Sequence, residues 1–240
     1  MKKQNSKPSI LVSGCTKGIG LAIVQKFANE GFNVAGCSRN EKDLKKLFAK
    51  LSTKFPKQRF FMEVCDVANT KLLKIFAKDV IKEFGKIDVL VNNAGTFMPG
   101  SIIKEEEGAF EKQWLTNVSS AYHLCRMIVP PMIKQKSGHV FNICSTASIT
   151  AYTNGGSYSI SKHAMLGMNN VLREELKSKN VKVTAILPGA THTESWKNSD
   201  LPKERFMPAE DIAMMVFNAY SLSPQSNVEE ILIRPQLGDI

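Results

Sequence analysis

The sequence of this 240-residue chain predicts a doubly wound α/β fold, with a seven-stranded parallel sheet and helices on both faces. Short apolar runs with strand character alternate along the whole chain with longer segments whose apolar residues recur at helical spacing. Such an alternation of strand and helix is typical of parallel strands joined by right-handed crossovers. We expect one domain over residues 1–240, because this length does not call for a second hydrophobic core.

The predicted elements follow from these two patterns in chain order. Strands are predicted where short apolar runs carry strand character, at residues 9–12, 33–37, 59–64, 87–91, 139–144, 181–187 and 230–233. Helices are predicted where apolar residues return every three or four positions, at residues 18–29, 41–54, 70–84, 106–134, 157–177 and 209–221. In open sheets of this kind ligands bind beyond the carboxyl ends of the strands, so functional residues are expected directly after strands.

The composition argues against several classes of protein. The first apolar run, residues 10–12, is too short for a signal peptide or a membrane span, so we expect a cytoplasmic protein with no membrane association. The five cysteines are widely spaced without a C-x-x-C pattern, which predicts reduced thiols and no metal site. The net charge is +10, but the lysines are spread along helices and mixed with acids, which favours a solvated surface over a nucleic-acid site.

The stretch SGCTKGIG lies between the first predicted strand and the first predicted helix. Gly14 can turn the chain sharply, while Gly18 and Gly20 have no Cβ atom to keep a pyrophosphate away from the backbone N–H groups of the helix N-terminus. We therefore expect a phosphate-binding loop. Its predicted contact residues are Ser13, Gly14, Lys17, Gly18, Ile19 and Gly20.

A glycine loop between a strand and a helix is typical of dinucleotide-binding folds, and the end of the second strand indicates which dinucleotide to expect. Many nicotinamide-binding folds place an acidic residue there, which accepts hydrogen bonds from the adenosine ribose and would repel a 2'-phosphate. Here Ser38 and Arg39 occupy that place. Arg39 offers a planar fork of donors to a phosphate, and Lys17 adds a second cation from the glycine loop. The expected cofactor is therefore NADP(H) and not NAD(H).

The motifs taken together resemble those of the short-chain dehydrogenase/reductase family. The glycine spacing is G-x-x-x-G-x-G, with Ser13 in place of the family's threonine, and NNAG follows the fourth strand at residues 92–95. Tyr158 and Lys162 form a Y-x-x-x-K pair, and Ser145 lies thirteen residues before the tyrosine. The resemblance extends from residue 9 to about residue 237 and implies a Rossmann-like fold.

Residue chemistry at this pair is consistent with carbonyl reduction. That reaction needs a hydride at the carbon and a proton at the developing alkoxide, so the site requires an acid that is hydrogen-bonded to the oxygen. Tyr158 can supply this proton. Lys162 lies four residues later on the same helical face, where its positive charge favours the phenolate form.

The resemblance implies the remaining roles. Ser145 would hold the substrate carbonyl, Asn117 would steady a water chain that returns the proton, and Lys162 would also bind the nicotinamide ribose. Asp66 and Val67 would hold the adenine ring, although an aspartate at this place also suits a helix cap. The other implied cofactor contacts are Asn93, Ala94, Gly95, Tyr158, Pro188, Gly189, Thr191 and Thr193.

Residues 192–207 form a predicted lid, since they follow the last cofactor loop and precede the last helix. The segment carries Trp196, Phe206 and Met207. Those side chains indicate an apolar or planar substrate, although a lid that packs on its own body needs them equally.

The resemblance implies two substrate classes, of which the first is the expected one and the second is the alternative. The first is a 3-oxoacyl-acyl-carrier-protein, since Lys136 and Lys179 fall where such reductases carry basic docking residues and an acidic carrier would be attracted to a basic chain. The second is a small molecule reduced by a sepiapterin-reductase-like carbonyl reductase, which the carboxyl-terminal sequence resembles. A pterin requires a carboxylate near its amino groups, for which Glu194, Asp200 and Asp239 are candidates.

Two further expectations concern assembly and activity. The resemblance implies a homodimer or homotetramer formed through the helices near residues 106–134 and 157–177, since isologous helix packing is a common route to symmetric assemblies. A catalytically silent NADP-binding regulator on the same fold is a remote alternative. The retention of Asn117, Ser145, Tyr158 and Lys162 favours an enzyme.

Overall fold

A computed structural model describes residues 7–196 and 199–240 of the chain. Its seven parallel strands lie in the order β3-β2-β1-β4-β5-β6-β7. Strands β1 to β3 are added towards one edge of the sheet and β4 to β7 towards the other, so the strand order reverses between the neighbours β1 and β4. The predicted doubly wound sheet is confirmed. The strands are β1 Ser9–Ser13, β2 Asn33–Ser38, β3 Phe60–Val64, β4 Val89–Asn92, β5 Gly138–Ile143, β6 Val181–Pro188 and β7 Glu230–Ile233.

Helices connect the strands close to the predicted bounds. They are α1 Gly18–Asn29, α2 Glu41–Lys54, α3 Thr70–Phe84, α4 Ala109–Trp114, α5 Ser120–Gln135, α6 Gly156–Leu176 and α7 Ala209–Tyr220. The long helix predicted from residue 106 begins later, because Gly108 has φ +81°, which a right-handed helix does not allow. It also contains a π-helical segment, Leu115–Ser119, between α4 and α5. Among the described residues, no helix is long and apolar enough to cross a membrane.

Both faces of the sheet are buried beneath helices. Ile10 and Val12 of β1 face one core, together with residues of α1, α2 and α7. Leu11 faces the opposite core, together with residues of α3 and α5. This alternation of side chains is the period of two that a strand imposes. Since each fully buried aliphatic side chain contributes roughly 1.5–3 kcal/mol, the two cores hold the strands, and therefore their carboxyl ends, in fixed positions.

Candidate active site

A cavity of about 950 Å³ opens at the carboxyl ends of the strands. It is the crevice expected beside the point where the strand order reverses. Most of the predicted site residues line it: Gly14, Lys17, Gly18, Ile19, Ser38, Arg39, Asp66, Val67, Asn93, Ala94, Gly95, Ser145, Tyr158, Lys162, Pro188, Gly189, Thr191 and Thr193. The structure places Ser13, Gly20 and Asn117 behind the cavity wall, where they contact the residues that form it.

The glycine loop is packed directly against the end of β4. Asn93 Nδ2 donates to the carbonyl oxygens of Ser13 at 2.9 Å and Gly14 at 3.0 Å. The Ser13 hydroxyl accepts from the backbone N–H groups of Asn93 and Ala94, both at 3.0 Å. A Cβ atom on Gly20 would lie 2.2 Å from the Gly14 carbonyl oxygen and 2.4 Å from Asn93 Nδ2. Only glycine at position 20 permits this close approach.

Cations mark the end of the cavity nearest β2. Lys17 and Arg39 both line it, beside Ser38, whose hydroxyl accepts from Thr16 Oγ1 at 2.9 Å. Lys17 Nζ lies 3.5 Å from Glu194 Oε2, and both side chains are exposed. Asp43, on the first turn of α2, also lines this end. Two cations and a hydroxyl together form a group that can bind a phosphate.

Asp66 does not cap the helix that follows it. Asn69 takes that place, since its side chain accepts from the backbone N–H groups of Lys71 and Leu72 at the start of α3. Asp66 Oδ1 instead accepts from Ala68 N at 3.1 Å in a short turn, and the residue lines the cavity. The capping interpretation of Asp66 is therefore wrong, and its side chain belongs to the cavity lining.

Tyr158 and Lys162 share one side of α6 at the opposite end of the cavity. Lys162 is only 6% exposed, and its Nζ atom donates to the Ile143 carbonyl oxygen at 2.9 Å. The same Nζ atom lies 5.7 Å from the centroid of the Tyr158 ring. Phe97 packs edge-on against that ring, with centroids 4.8 Å apart. A phenol and a buried ammonium are thus held side by side.

Ser145 follows β5 and faces the same part of the cavity. Its Oγ atom accepts from Ala147 N at 3.1 Å, and its backbone N–H donates to Ser148 Oγ at 3.2 Å. A serine hydroxyl that accepts one such bond can still donate its own hydrogen to a ligand. Cys144 precedes it, and burial raises the pKa of this thiol to about 12, so it is uncharged at neutral pH. The hydroxyl of Ser145 is therefore the polar group that β5 presents here.

Asn117 lies within the π-helical segment and is 1% exposed. Its Oδ1 atom accepts from Thr96 N at 2.7 Å, while Nδ2 donates to Thr96 O at 3.0 Å and to Ser161 Oγ at 2.9 Å. A Cβ atom on Gly95 would lie 3.4 Å from Asn117 Oδ1 and 3.7 Å from Lys162 Nζ. Asn117 therefore joins the segment after β4 to α6, close to Lys162. Single-turn π segments inside helices occur frequently at functional sites.

The two ends of the predicted lid lie next to each other in the structure. Residues 197–198 of the lid lie outside the described part of the chain. Thr191 and Met207 pair through a single parallel β-bridge. Phe206 and Met207 are buried, whereas Trp196 lines the cavity while its ring packs 5.3 Å from that of Phe206. Of the three side chains considered for substrate contact, Phe206 and Met207 thus serve packing, and Trp196 faces the cavity.

Three residues that line the cavity, Phe97, Tyr152 and Asp239, could not be assigned from the sequence alone. Phe97 and Tyr152 were not predicted, because they lie in loops without a motif. Two of the three candidate carboxylates, Glu194 and Asp239, line the cavity. Glu194 pairs with Lys17, which leaves Asp239 as the candidate outside the cation group. Its carboxylate accepts from Tyr152 Oη at 3.0 Å and from Arg234 Nε at 3.1 and 3.2 Å. The approach of the carboxyl-terminal segment to the active site could not be predicted from local sequence.

The two lysines considered for carrier-protein docking lie away from the cavity. Lys136 follows the last residue of α5 and lies two residues before β5, and Lys179 lies two residues before β6. Both residues are therefore at the amino-terminal edge of the parallel sheet, opposite the edge where the cavity opens. Within one chain, a partner bound at these lysines would not face the cavity.

Comparisons with known proteins point to one family. The family model described as short chain dehydrogenase matches residues 8–204. A sepiapterin reductase from Chlorobaculum tepidum is 31% identical over 98% of both chains. A 3-oxoacyl-acyl-carrier-protein reductase from Chlamydia muridarum is 32% identical over 78% of this chain and 75% of that one. A metagenomic short-chain oxidoreductase, solved in complex with NADP, is 28% identical, with a TM-score of 0.83 over 95% of this chain and 97% of that one.

The fold, the residues that line the cavity and these similarities together define an oxidoreductase built on a doubly wound sheet. The chain belongs to the short-chain dehydrogenase family.

The contact between the glycine loop and Asn93 predicts a destabilising effect of a methyl group at position 20. Gly20→Ala should lower the unfolding midpoint, because the new methyl group would overlap the Gly14 carbonyl oxygen and the Asn93 amide. The control is Lys50→Ala at an exposed position of α2, where the change in stability should stay within about 0.5 kcal/mol. Urea unfolding measures both, and an unchanged midpoint in Gly20→Ala would contradict this close packing.

Proposed function

We propose that this protein is an NADP(H)-dependent carbonyl reductase in which Tyr158 is the proton donor. The observation that carries the proposal is the arrangement along one cavity. Two cations, Lys17 and Arg39, line one end, and the Tyr158, Lys162 and Ser145 side chains line the other. A dinucleotide with a phosphate on its adenosine ribose matches this polarity.

The residues present fit that cofactor. Gly14 and Gly18 have φ +68° and +50°, and neither Gly18 nor Gly20 carries a Cβ atom that would keep a phosphate from the backbone N–H groups at the start of α1. The Thr193 side chain approaches Gly18 from the other side of the cavity, where Thr193 is itself a proposed contact. Ser13 and Asn93 would support this loop from behind, and Ile19 would line it. Ser38 and Arg39 would bind the 2'-phosphate together with Lys17. The remaining proposed contacts are Asp66, Val67, Ala94, Gly95, Pro188, Gly189, Thr191 and Thr193.

When bound, NADPH supplies the hydride, and the chain supplies orientation and the proton. Tyr158 Oη donates its proton to the carbonyl oxygen of the substrate, while the Ser145 hydroxyl donates a hydrogen bond to the same oxygen. Lys162 stabilises the phenolate that Tyr158 becomes. Asn117 holds the path that returns a proton, since its amide bonds to Ser161 and lies near Lys162.

Substitution of Arg39 tests the choice of cofactor. Arg39→Asp replaces a side chain that donates hydrogen bonds to the 2'-phosphate with a carboxylate that repels it. The carboxylate can instead accept hydrogen bonds from a ribose without this phosphate. The ratio of kcat/KM with NADPH to kcat/KM with NADH should fall by at least about 100-fold, which corresponds to about 2.7 kcal/mol. Lys50→Asp, an exposed change farther along α2, is the matched control. An unchanged ratio in Arg39→Asp would contradict the phosphate assignment.

Substitution of Tyr158 tests the chemistry. Tyr158→Phe keeps the ring that packs on Phe97 but removes the only group that donates the proton in this proposal. We expect kcat to fall by about 10²–10⁴-fold, the usual contribution of general acid catalysis. The affinity for NADPH, measured by the change in its fluorescence, should stay close to that of the wild type. Normal turnover by this variant would eliminate the mechanism.

The geometry favours a small substrate with hydrogen-bond donors over a carrier-bound acyl chain. Asp239 presents a carboxylate to the cavity, and Trp196 presents an aromatic surface. A planar heterocycle that bears amino groups, such as a pterin, suits this pair, because the ring can stack and the amino groups can donate to the carboxylate. The similarity to a sepiapterin reductase over 98% of both chains supports this choice.

Reduction of 3-oxoacyl thioesters is the second candidate. The similarity to 3-oxoacyl-acyl-carrier-protein reductases and the net charge of +10 favour it. The positions of Lys136 and Lys179 at the opposite edge of the sheet count against it within a single chain. An acidic carrier protein docked there would need a second subunit to bring those lysines near a cavity.

A substrate comparison separates the two candidates. Asp239→Asn removes the charge that would bind amino groups, so kcat/KM for sepiapterin should fall by about 10-fold or more, as for a charged hydrogen bond of about 1.5–3 kcal/mol. The kcat/KM for an acetoacetyl thioester should change little. Arg234→Gln, which loosens Asp239 without removing it, should give an intermediate loss. Activity with the thioester alone would favour the second candidate, and inertness of both substrates would refute both.

We also propose a homo-oligomer. Large apolar side chains are exposed on α4, the π-helical segment, α5 and α6, namely Phe110, Trp114, Leu115, Tyr122, Ile160 and Val171. Exposed apolar side chains on neighbouring helices are typical of surfaces that pair with another chain.

A catalytically silent NADP-binding regulator is disfavoured, since such a role would not require Tyr158, Lys162 and Ser145 to face one cavity.

A further inference from the structure

We propose that Glu105 is a positioning residue for Tyr158, and that it acts by fixing the first turn of α6. This inference rests on the proposed function of Tyr158. Glu105 lies in the segment between β4 and α4, 53 residues before the tyrosine, and it is not among the residues that line the cavity. Its role is therefore indirect, through the helix that carries Tyr158 and Lys162.

The contact lies at the amino terminus of α6. Glu105 Oε1 accepts from the backbone N–H of Ser157 at 2.8 Å, and Oε2 accepts from the Ser157 hydroxyl. Ser157 directly precedes Tyr158. The first N–H groups of a helix have no partner within it, and Gly155, which precedes α6, has no side chain to cap it. The Glu105 carboxylate supplies that missing cap, and its negative charge also suits the helix N-terminus.

Gly156 makes room for this carboxylate. Its φ is +36°, and a Cβ atom there would lie 2.0 Å from Glu105 Oε1 and 2.4 Å from the Gly100 carbonyl oxygen. The backbone of α6 thus meets the segment after β4 in direct contact at its first residue. A larger side chain at position 156 would displace both Glu105 and Gly100, so the first turn of the helix is shaped around the contact.

Other residues of the same segment reach the surroundings of Tyr158. Phe97 packs edge-on against the tyrosine ring, and Gly100 N donates to Asn154 O at 2.9 Å just before α6. Thr96 is bonded to Asn117, which in turn bonds to Ser161. Residues 96–105 therefore contact α6 or the residues bonded to it at several points, and the contact that Glu105 makes is the one with a charged side chain.

The inferred consequence concerns proton transfer. Tyr158 is the third residue of α6 and so lies in its first turn, the part of a helix that frays most readily. A small misplacement of a catalytic group can lower a rate by up to about 100-fold. Without Glu105, the phenol would be held less firmly opposite the substrate oxygen, while the dinucleotide contacts elsewhere in the cavity would be unaffected.

The test compares Glu105→Ala, Glu105→Gln and Ser157→Ala with Glu107→Ala, a change at an exposed neighbour. Glutamine can still accept from Ser157 N and can donate to its hydroxyl, so it should preserve the contact. In Glu105→Ala, kcat should fall by about 10–100-fold with NADPH affinity unchanged, and the solvent isotope effect on kcat should rise as proton transfer becomes limiting. Ser157→Ala should change both quantities in the same direction but less. Glu105→Gln and Glu107→Ala should resemble the wild type.

A second readout does not depend on activity. The chain has four tyrosines, so ¹³Cζ-tyrosine NMR yields a small set of signals in which Tyr158→Phe identifies Tyr158. The Tyr158 signal should shift or broaden in Glu105→Ala and stay in place in Glu105→Gln. An unmoved signal in both Glu105→Ala and Ser157→Ala would overturn the inference even if the wild type is active. If the wild type reduces no carbonyl substrate, the proposed function fails, and the NMR comparison still decides whether Glu105 positions the ring.

Discussion

The packing of the loop after β1 against the residues after β4 is the contact on which the candidate site depends. These strands are neighbours in the sheet, but α1, which follows β1, and α5, which lies between β4 and β5, pack in opposite cores, which opens a crevice between the strand ends. Asn93 closes the bottom of that crevice by donating to Ser13 and Gly14. Since no side chain fits at position 20, glycine there lets the loop pack this closely against Asn93.

A chain of buried side-chain amides connects the strands β4 and β5 to α6, the helix that carries Tyr158 and Lys162. Asn92 Nδ2 donates to Asn142 Oδ1 at 2.8 Å, and Asn142 Nδ2 donates to Asn169 Oδ1 at 2.9 Å, which joins β4 and β5 to α6. Buried amides lose much of their stabilisation if one partner moves, so such a chain favours a single position of the helix. The proposed Glu105 contact would act at the amino end of α6, and the amides act near its middle.

The sequence predicted the sheet and most cavity residues because the informative features are local. Glycine spacing, strand periodicity and the Tyr158 to Lys162 interval each lie within one segment, and parallel strands bring such segments to one edge. Asp239, Phe97 and Glu105 were missed or left undecided, because their positions depend on contacts between distant segments. The late start of the long helix had a local cause, a left-handed Gly108, but glycine within a helical pattern does not reveal its φ angle. Substrate choice depends on those distant contacts too.

A crystal structure of the protein with NADP⁺ bound tests the proposed cofactor site most directly. The 2'-phosphate should lie between Lys17 and Arg39, and the nicotinamide should lie beside Gly189 with its C4 atom facing the same space as the Tyr158 hydroxyl. A cofactor bound in the reverse direction, or a Tyr158 hydroxyl directed away from C4, would rule this arrangement out.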